Sequence, residues 1–183
     1  MQSPTYAQLP DGSGQCRRMR GDCFIFIPDC GRKHRIGKPA VIRDLDNRMH
    51  NVIALRWYQN NTPYRDDDLF PTKLSIHMLD NKNLFECISL EYENINDIYI
   101  VDFRYDINVI NIRLYKFTGI TIDLTDPVIP EDCKQYFEKY PILQYILDLP
   151  SRDISLLLND EFFALLGANY TELLEEYKAV TSF

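Results

Sequence analysis

The sequence predicts a mostly β fold, a small antiparallel β-barrel of short strands, followed by a C-terminal helical extension. Eight short runs of alternating, β-branched or aromatic residues recur within roughly a hundred residues, at the spacing of an all-β barrel or sandwich. Aromatic residues, mostly the Tyr and Phe that strands favour, make up 13% of the 183 residues. After residue 126 the apolar residues take the spacing of amphipathic helices.

Each predicted strand is a short apolar run between turn-forming residues. The predicted strands are residues 23–28, 40–43, 51–58, 73–79, 85–90, 97–104, 109–117 and 120–124. The two runs within residues 97–117 are predicted to form a hairpin that turns near residues 105–108. Residues 59–71 are predicted as a loop because they hold Asn-Asn-Thr-Pro and a run of three Asp.

Proline, glycine and capping residues mark the predicted helices. Pro130 suits a first helical turn and Pro141 should break the segment, which predicts helices over residues 130–139 and 141–148. A third helix is predicted to start at a Ser151 or Asp153 cap and to stop at Gly167. A fourth is predicted to start at residue 169 or 171 and to run through residue 177.

These patterns predict three parts of the chain. Residues 1–15 contain spaced Pro and Gly among polar residues, so they are expected to be a flexible lead-in. Residues 16–126 are the expected barrel domain. Residues 127–183 are the expected helical extension, which either packs on the barrel or mediates association, including homodimer formation.

The charge is distributed unevenly along the chain. The net charge is −7, yet residues 16–65 carry +7 and residues 66–183 carry −13. This asymmetry indicates either a basic face for an acidic partner or two faces that neutralise each other in the fold. Candidate contacts with an acidic partner are Arg17, Arg18, Arg20, Arg32, Lys33 and Arg35. Because no recognition helix or stacking platform accompanies them, direct nucleic-acid binding is expected to be secondary at most.

The sequence lacks the motifs of the common enzyme classes. It has no glycine-rich phosphate loop, no Gly-x-Ser-x-Gly elbow and no His-Glu-x-x-His helix, and its three histidines stand in unrelated contexts. We therefore expect neither catalysis nor a cofactor. No apolar run is long enough for a membrane span, and the N-terminus does not read as a secretory signal. Nuclear localisation is expected, with the cytoplasm as the alternative, and the five cysteines are expected to be mostly reduced.

One group of residues in the N-terminal part of the chain has metal-ligand types. Cys16, Cys23 and Cys30 recur every seven residues, and His34 follows four residues later. These are zinc-ligand types, but the usual pair of cysteines separated by two to four residues is missing. Cys23 also begins a predicted strand, where a thiol packs well in a core. No metal site is predicted.

Residues 21–101 resemble a bromo-adjacent homology (BAH) domain in the order and spacing of their motifs. The match covers under half of the chain. The motifs are Gly21-Asp22-Cys23-Phe24-Ile25-Phe26, then Lys38-Pro39-Ala40-Val41-Ile42-Arg43, Leu55-Arg56-Trp57-Tyr58, Leu69-Phe70 leading to Ile76-His77, and Leu90 to Val101. The chain departs from the family where the loop after Trp57 lacks a charged Arg-Pro-Glu-Glu core.

The resemblance implies a chromatin module, and some BAH domains read methyl-lysine in an aromatic cage through cation–π attraction. Trp57 matches the cage tryptophan, but Ala40 and Gln59 stand where the other aromatic walls are expected. Methyl-lysine reading is therefore doubtful. Trp57, Tyr58 and Tyr64 remain candidate peptide-binding residues, although Tyr58 should point away from Trp57 on a strand. The alternative for Trp57 is a buried core aromatic.

The expected function is that of a non-enzymatic, chromatin-associated protein-interaction module in gene silencing. Its expected partner is a protein, with a histone or nucleosome surface as the candidate. The alternative is a structural or viral assembly protein whose β-core and helical tail drive self-association.

Overall fold

The computed structural model describes the backbone of residues 6–8, 15–19, 23–27, 32–48, 50–93, 98–104, 109–114, 119–123, 128–129 and 131–181. Side chains are described for residues 15–17, 24–27, 32–48, 50–92, 128–129, 131 and 134–181. Arg20, Cys30 and the predicted turn at residues 105–108 lie outside these ranges.

The N-terminal part of the chain forms an antiparallel sheet. Its strands are β1 (Tyr6–Gln8), β2 (Gln15–Met19), β3 (Cys23–Ile27), β4 (Val41–Arg43), β5 (Val52–Arg56), β6 (Tyr58–Gln59), β7 (Thr62–Pro63), β8 (Lys73–Met78), β9 (Phe85–Glu93), β10 (Ile98–Arg104), β11 (Val109–Leu114) and β12 (Gly119–Asp123). The main sheet has the order β1-β2-β3-β4-β5-β8-β9-β10-β11-β12, and β6 and β7 form a separate hairpin.

The strand order shows that the predicted barrel is wrong. Each strand of the main sheet pairs only with its neighbours in that order, and within the described ranges no pairing joins β1 to β12. A barrel needs its two edge strands to pair, so this sheet is open. The antiparallel sheet followed by C-terminal helices is confirmed, and all eight predicted strands are present with shifted ends. The prediction missed β1, which lies in the expected lead-in, β2, for which no strand was predicted, and the β6–β7 hairpin, most of which lies in the predicted loop.

The sheet has two chemically different faces. Along one row of the register, Phe24, Ile42, Leu55, Leu74 and Leu90 stand opposite one another on β3, β4, β5, β8 and β9, and all five are buried. We call this side the inner face. Because side chains alternate along a strand, the neighbouring residues of each strand project to the opposite side, the outer face.

The C-terminal part is helical, with α1 (Glu131–Lys139), α2 (Pro141–Leu147), a 3₁₀ turn (Ile154–Leu156), α3 (Asp160–Leu165) and α4 (Tyr170–Thr181). The helix predicted to run from Ser151 or Asp153 to Gly167 is divided in two. Asp153 caps the 3₁₀ turn, and the Asn159 side chain accepts a hydrogen bond from the Phe162 N–H at 2.9 Å and caps α3 separately. Within the described ranges, no helix has the length and apolar character needed to cross a membrane.

The helices pack on the inner face and share one core with the sheet. The ring of Tyr177 in α4 meets that of Phe24 in β3 edge-on, with centroids 5.4 Å apart. Tyr140, just before α2, stacks against Tyr92 of β9 with centroids 4.5 Å apart. Of the two roles predicted for the extension, the structure therefore shows packing on the sheet.

A substitution in α4 should destabilise the sheet and the helices together. Leu173 is buried in the shared core, so Leu173→Ala should lower the free energy of unfolding by about 2–5 kcal/mol. Urea unfolding is followed by the fluorescence of Trp57, the single tryptophan, and by far-ultraviolet circular dichroism. The two midpoints should coincide and shift together, whereas the exposed neighbour Glu175→Ala should leave both nearly unchanged. Loss of helix signal while the Trp57 signal persists would contradict a shared core.

Candidate functional site

Trp57 lies in the core of the molecule. Its side chain is 1% exposed, and its backbone N–H donates to the Thr72 carbonyl at 2.9 Å. The guanidinium carbon of Arg65 stands 4.4 Å from the centre of its ring and 5.0 Å from that of Phe70. The cation–π position over Trp57 is thus filled by the chain's own arginine. Trp57 was predicted as a candidate peptide-binding residue, but the structure shows the alternative, a buried core aromatic.

Arg65 joins this aromatic pair to the end of α3. Its Nη2 donates to the carbonyls of Leu166 and Gly167, at 2.8 and 3.3 Å, where α3 leaves its last carbonyls unpaired. Burial lowers the pKa of Arg65 to about 10, against the opposing influence of Asp66 and Asp67, and this leaves it protonated at neutral pH. No local sequence pattern marks Arg65, and the sequence prediction missed it.

Gly167 is required beside Arg65 for two reasons. Its φ is +64°, in the left-handed region that favours glycine, so the predicted helix stop is correct. A Cβ at this position would also lie 2.4 Å from Arg65 Nη2 and 2.7 Å from the Phe70 ring. The glycine therefore lets the arginine and the aromatic ring approach the helix end closely.

Arg35, one of the predicted basic contacts, and its neighbour Lys38 are paired with carboxylates inside the molecule. Arg35 Nη2 lies 2.6 Å from Glu176 Oε2 of α4, and its guanidinium stacks 4.0 Å from the Phe26 ring centre. Lys38 Nζ lies 2.6 Å from Glu176 Oε1 and also pairs with Glu172. We call these four charged residues the α4 ion-pair cluster. Because the Arg35 side chain is only 9% exposed, Arg35 is corrected from a partner contact to an internal ion pair.

The other predicted basic contacts differ in their accessibility. Arg32 is exposed, while Arg17 is half-buried on β2. The ammonium of the half-buried Lys33 lies 5.0 Å from the ring centre of Tyr58 and covers that predicted peptide-binding residue. The side chain of Arg18 and all of Arg20 lie outside the described residues, so their predicted contacts stay predictions.

Tyr64, the third predicted peptide-binding residue, lies at an open cleft. The cleft has a volume of about 200 Å³ and is lined by Arg35, Gly37, Trp57, Gln59, Tyr64, Arg65, Asp66, Asp67, Phe70 and Gly167. Tyr64 is 44% exposed. We call this cleft the Tyr64 cleft. A second cleft of about 340 Å³ adjoins it, since Gly37 and Gly167 line both.

Three exposed apolar residues either line the Tyr64 cleft or are next in sequence to residues that line it. In the described part of the chain, the large hydrophobic residues with high exposure are Ile36, Tyr64, Leu69 and Val128. Tyr64 lines the cleft, Ile36 lies between its lining residues 35 and 37, and Leu69 precedes its lining residue 70. We call Ile36, Tyr64 and Leu69 the apolar rim. Sequence reasoning missed Ile36 and Leu69, because single apolar residues in loops carry no periodic signal.

The described side chains include no group of three or more His, Cys, Asp or Glu residues placed to hold a metal ion. Cys16 is buried among Phe24 and Phe26 in the core, and His34 Nδ1 accepts a hydrogen bond from the Asn60 N–H at 3.3 Å. The side chains of Cys23 and Cys30 lie outside the described residues.

Comparison with known proteins gives no assignment. No protein-family model, curated protein or solved structure matches the chain significantly. The likeness of residues 21–101 to BAH domains therefore rests on the ordered motifs alone and stays a prediction.

Replacing Arg65 should loosen the contact between Trp57 and α3. Arg65→Met keeps the apolar stem but removes the hydrogen bonds to two helix-end carbonyls, so the free energy of unfolding should fall by about 2–3 kcal/mol. The Trp57 emission should shift to the red as its ring becomes hydrated. Arg65→Lys should resemble Arg65→Met, because an ammonium lacks the planar fork. The matched control is Arg48→Met, whose side chain is 69% exposed; an equal effect there would contradict this role.

The α4 ion-pair cluster should make stability depend on alkaline pH. Burial alone would lower the pKa of Lys38, but its hydrogen bonds to Glu172 and Glu176 outweigh burial and raise that pKa above the ordinary 10.5. The stabilisation is therefore complete below about pH 10.5 and is lost as pH rises through the higher folded-state value. Lys38→Met should lower the free energy of unfolding by about 0.5–1 kcal/mol at pH 7. In thermal melts from pH 7 to above this range, the difference between variant and parent should shrink; a constant difference would contradict the ion pairing.

Proposed function

We propose that the protein is a non-enzymatic protein-interaction module that acts on chromatin in the nucleus and binds a histone or nucleosome surface. The observation that carries the proposal is the apolar rim. Single exposed hydrophobic residues are common on soluble proteins, but here Tyr64 lines a cleft, and Ile36 and Leu69 are next in sequence to residues that line it. The chromatin context comes from the BAH resemblance.

Tyr64 gives the rim one residue of the type found at binding hot spots. Tyrosine is enriched at such positions, since it contributes a large rigid contact area with one polar end. Ile36 and Tyr64 are 72% and 44% exposed in the free protein, so a partner that covers them removes apolar surface from water. Fully burying an Ile or Leu side chain is worth roughly 1.5–3 kcal/mol. Contacts with this rim would therefore contribute part of the free energy of binding.

The charge at the cleft favours a basic segment of the partner. Asp66 and Asp67 line the cleft, and neither forms an ion pair with a Lys or Arg side chain that the structure describes. Their neighbour Asp68 differs, because it pairs with Lys139 at 3.1 Å. A histone tail offers lysine and arginine beside apolar residues. Reading a methyl-lysine on Trp57 is not part of the proposal, since Arg65 occupies that ring face.

The apolar rim should be required for binding. Tyr64→Ala combined with Leu69→Ala should weaken nucleosome binding by about tenfold or more, as expected for removing an anchor residue and its neighbour. Binding is measured by fluorescence anisotropy with labelled nucleosomes and with labelled histone-tail peptides. The matched control is Val128→Ala, which removes an exposed hydrophobic residue away from the rim and should leave the affinity unchanged.

Light scattering on the same samples separates this function from assembly. The main sheet ends in β1 and β12, and an open edge is a template for pairing with another chain, which favours self-association as the second candidate function. A monomer that binds nucleosomes through the rim supports the interaction module. A concentration-dependent polymer without histone or nucleosome affinity would support the assembly function instead.

A further inference from the structure

The outer face of the sheet brings together three arginines from different strands. Arg17 on β2 is opposite Ile25, Ile25 is opposite Val41, and Val41 is opposite Arg56 on β5. Arg43 lies two residues beyond Val41 on β4, on the same face. Strand spacing and rise place the Cα atoms of Arg43 and Arg56 about 8 Å apart and those of Arg17 and Arg56 about 14 Å apart. We call Arg17, Arg43 and Arg56 the arginine face.

Among the described side chains, no counter-charge pairs with the arginine face. None of its three guanidinium groups has an ion pair or a hydrogen bond to any side chain that the structure describes, and the Nε atoms of Arg17 and Arg43 are buried without an acceptor. By contrast, Arg35, Arg48 and Lys38 each pair with a carboxylate. Glu91, in the same row of the outer face, already forms an ion pair with Lys73. Neighbouring guanidinium groups whose N–H donors are unused can bind an anion.

The surroundings of these arginines indicate which anion fits. The residues between them are the apolar Ile25 and Val41, and the buried Ala54 and Ser75 lie beside Arg43 and Arg56. Arginine is enriched at protein–protein interfaces, whose cores are more apolar than the rest of the surface. Tracking a nucleic-acid backbone instead needs a dense row of cations, and the net charge of −7 opposes a long polyanion. A short acidic segment carries less charge and can use both kinds of contact.

We propose that the arginine face docks a carboxylate-rich, partly apolar segment of a protein partner. A guanidinium binds a carboxylate best through two parallel hydrogen bonds, and Nε with one Nη forms one such fork. The Nε donors of Arg17 and Arg43 lack an acceptor, and the exposed Arg56 side chain is open to a carboxylate. The inference rests on the proposed function, because it names a second contact of the same module: Arg17 was a predicted acidic contact, and Arg43 and Arg56 are new.

The test uses the full chain and a fluorescein-labelled peptide of alternating Glu and Leu at low ionic strength. The parent protein should bind it, and Arg43→Gln with Arg56→Gln should weaken binding by about tenfold, with a smaller loss for Arg17→Gln. Arg43→Lys keeps the charge but not the fork and should still lose affinity severalfold. The matched control, Arg48→Gln, removes an exposed arginine outside this face and should change affinity less than about twofold. Urea unfolding of each variant shows that it is folded.

Three results would overturn the proposal: no binding of the peptide by the parent protein, equal affinity of parent and double variant, or tighter arginine-dependent binding of single-stranded DNA of the same net charge. The Tyr64→Ala and Leu69→Ala variant separates this inference from the proposed function. It should keep its affinity for the acidic peptide while it loses affinity for nucleosomes. Loss of the acidic peptide in this variant would mean that the two surfaces are not independent, and would also count against the arginine face.

Discussion

The contact of Arg65 with Trp57, Phe70 and the end of α3 links the sheet to the helices, and much of the remaining structure depends on it. The planar guanidinium stacks on two aromatic rings while its Nη2 donates to the Leu166 and Gly167 carbonyls. Arginine combines a flat cationic face with a fork of donors in its plane. The close approach in turn requires glycine at position 167. A single side chain therefore decides the environment of the only tryptophan and the position of a helix end.

The pairing of charges across the fold decides which charges remain for a partner. The basic segment 16–65 and the acidic segment 66–183 are partly neutralised where Arg35 and Lys38 meet Glu172 and Glu176. This supports the second of the two interpretations of the charge asymmetry for this part of the surface. Among the described charges that form no ion pair are the arginine face and, at the Tyr64 cleft, Asp66 and Asp67. Surfaces of opposite sign on one module suit a partner that presents both acidic and basic segments.

The sequence predicted local structure well where the local signal is physical. Alternation and turn residues gave all eight predicted strands, and the glycine at 167 gave the end of α3. β2 was missed because its Gln-Cys-Arg-Arg-Met sequence has one buried side chain, Cys16, among the described ones and no apolar alternation. Barrel closure was wrong because periodicity identifies a strand but not whether two edges meet. Arg43 and Arg56 were missed as a site because only their cross-strand register brings them together.

The placement of Arg65 over the Trp57 ring leaves no room for an external cation in an aromatic cage. A cage for an external cation needs open ring faces, with further aromatic walls to exclude water. Here the cation is the protein's own Arg65, and Ala40 is fully buried. Gln59 lines the cleft at the position where a cage would have an aromatic ring. A tryptophan already covered by its own arginine gains nothing from aromatic residues at those positions. The exposed apolar surface therefore lies at Tyr64, Ile36 and Leu69 and not at Trp57.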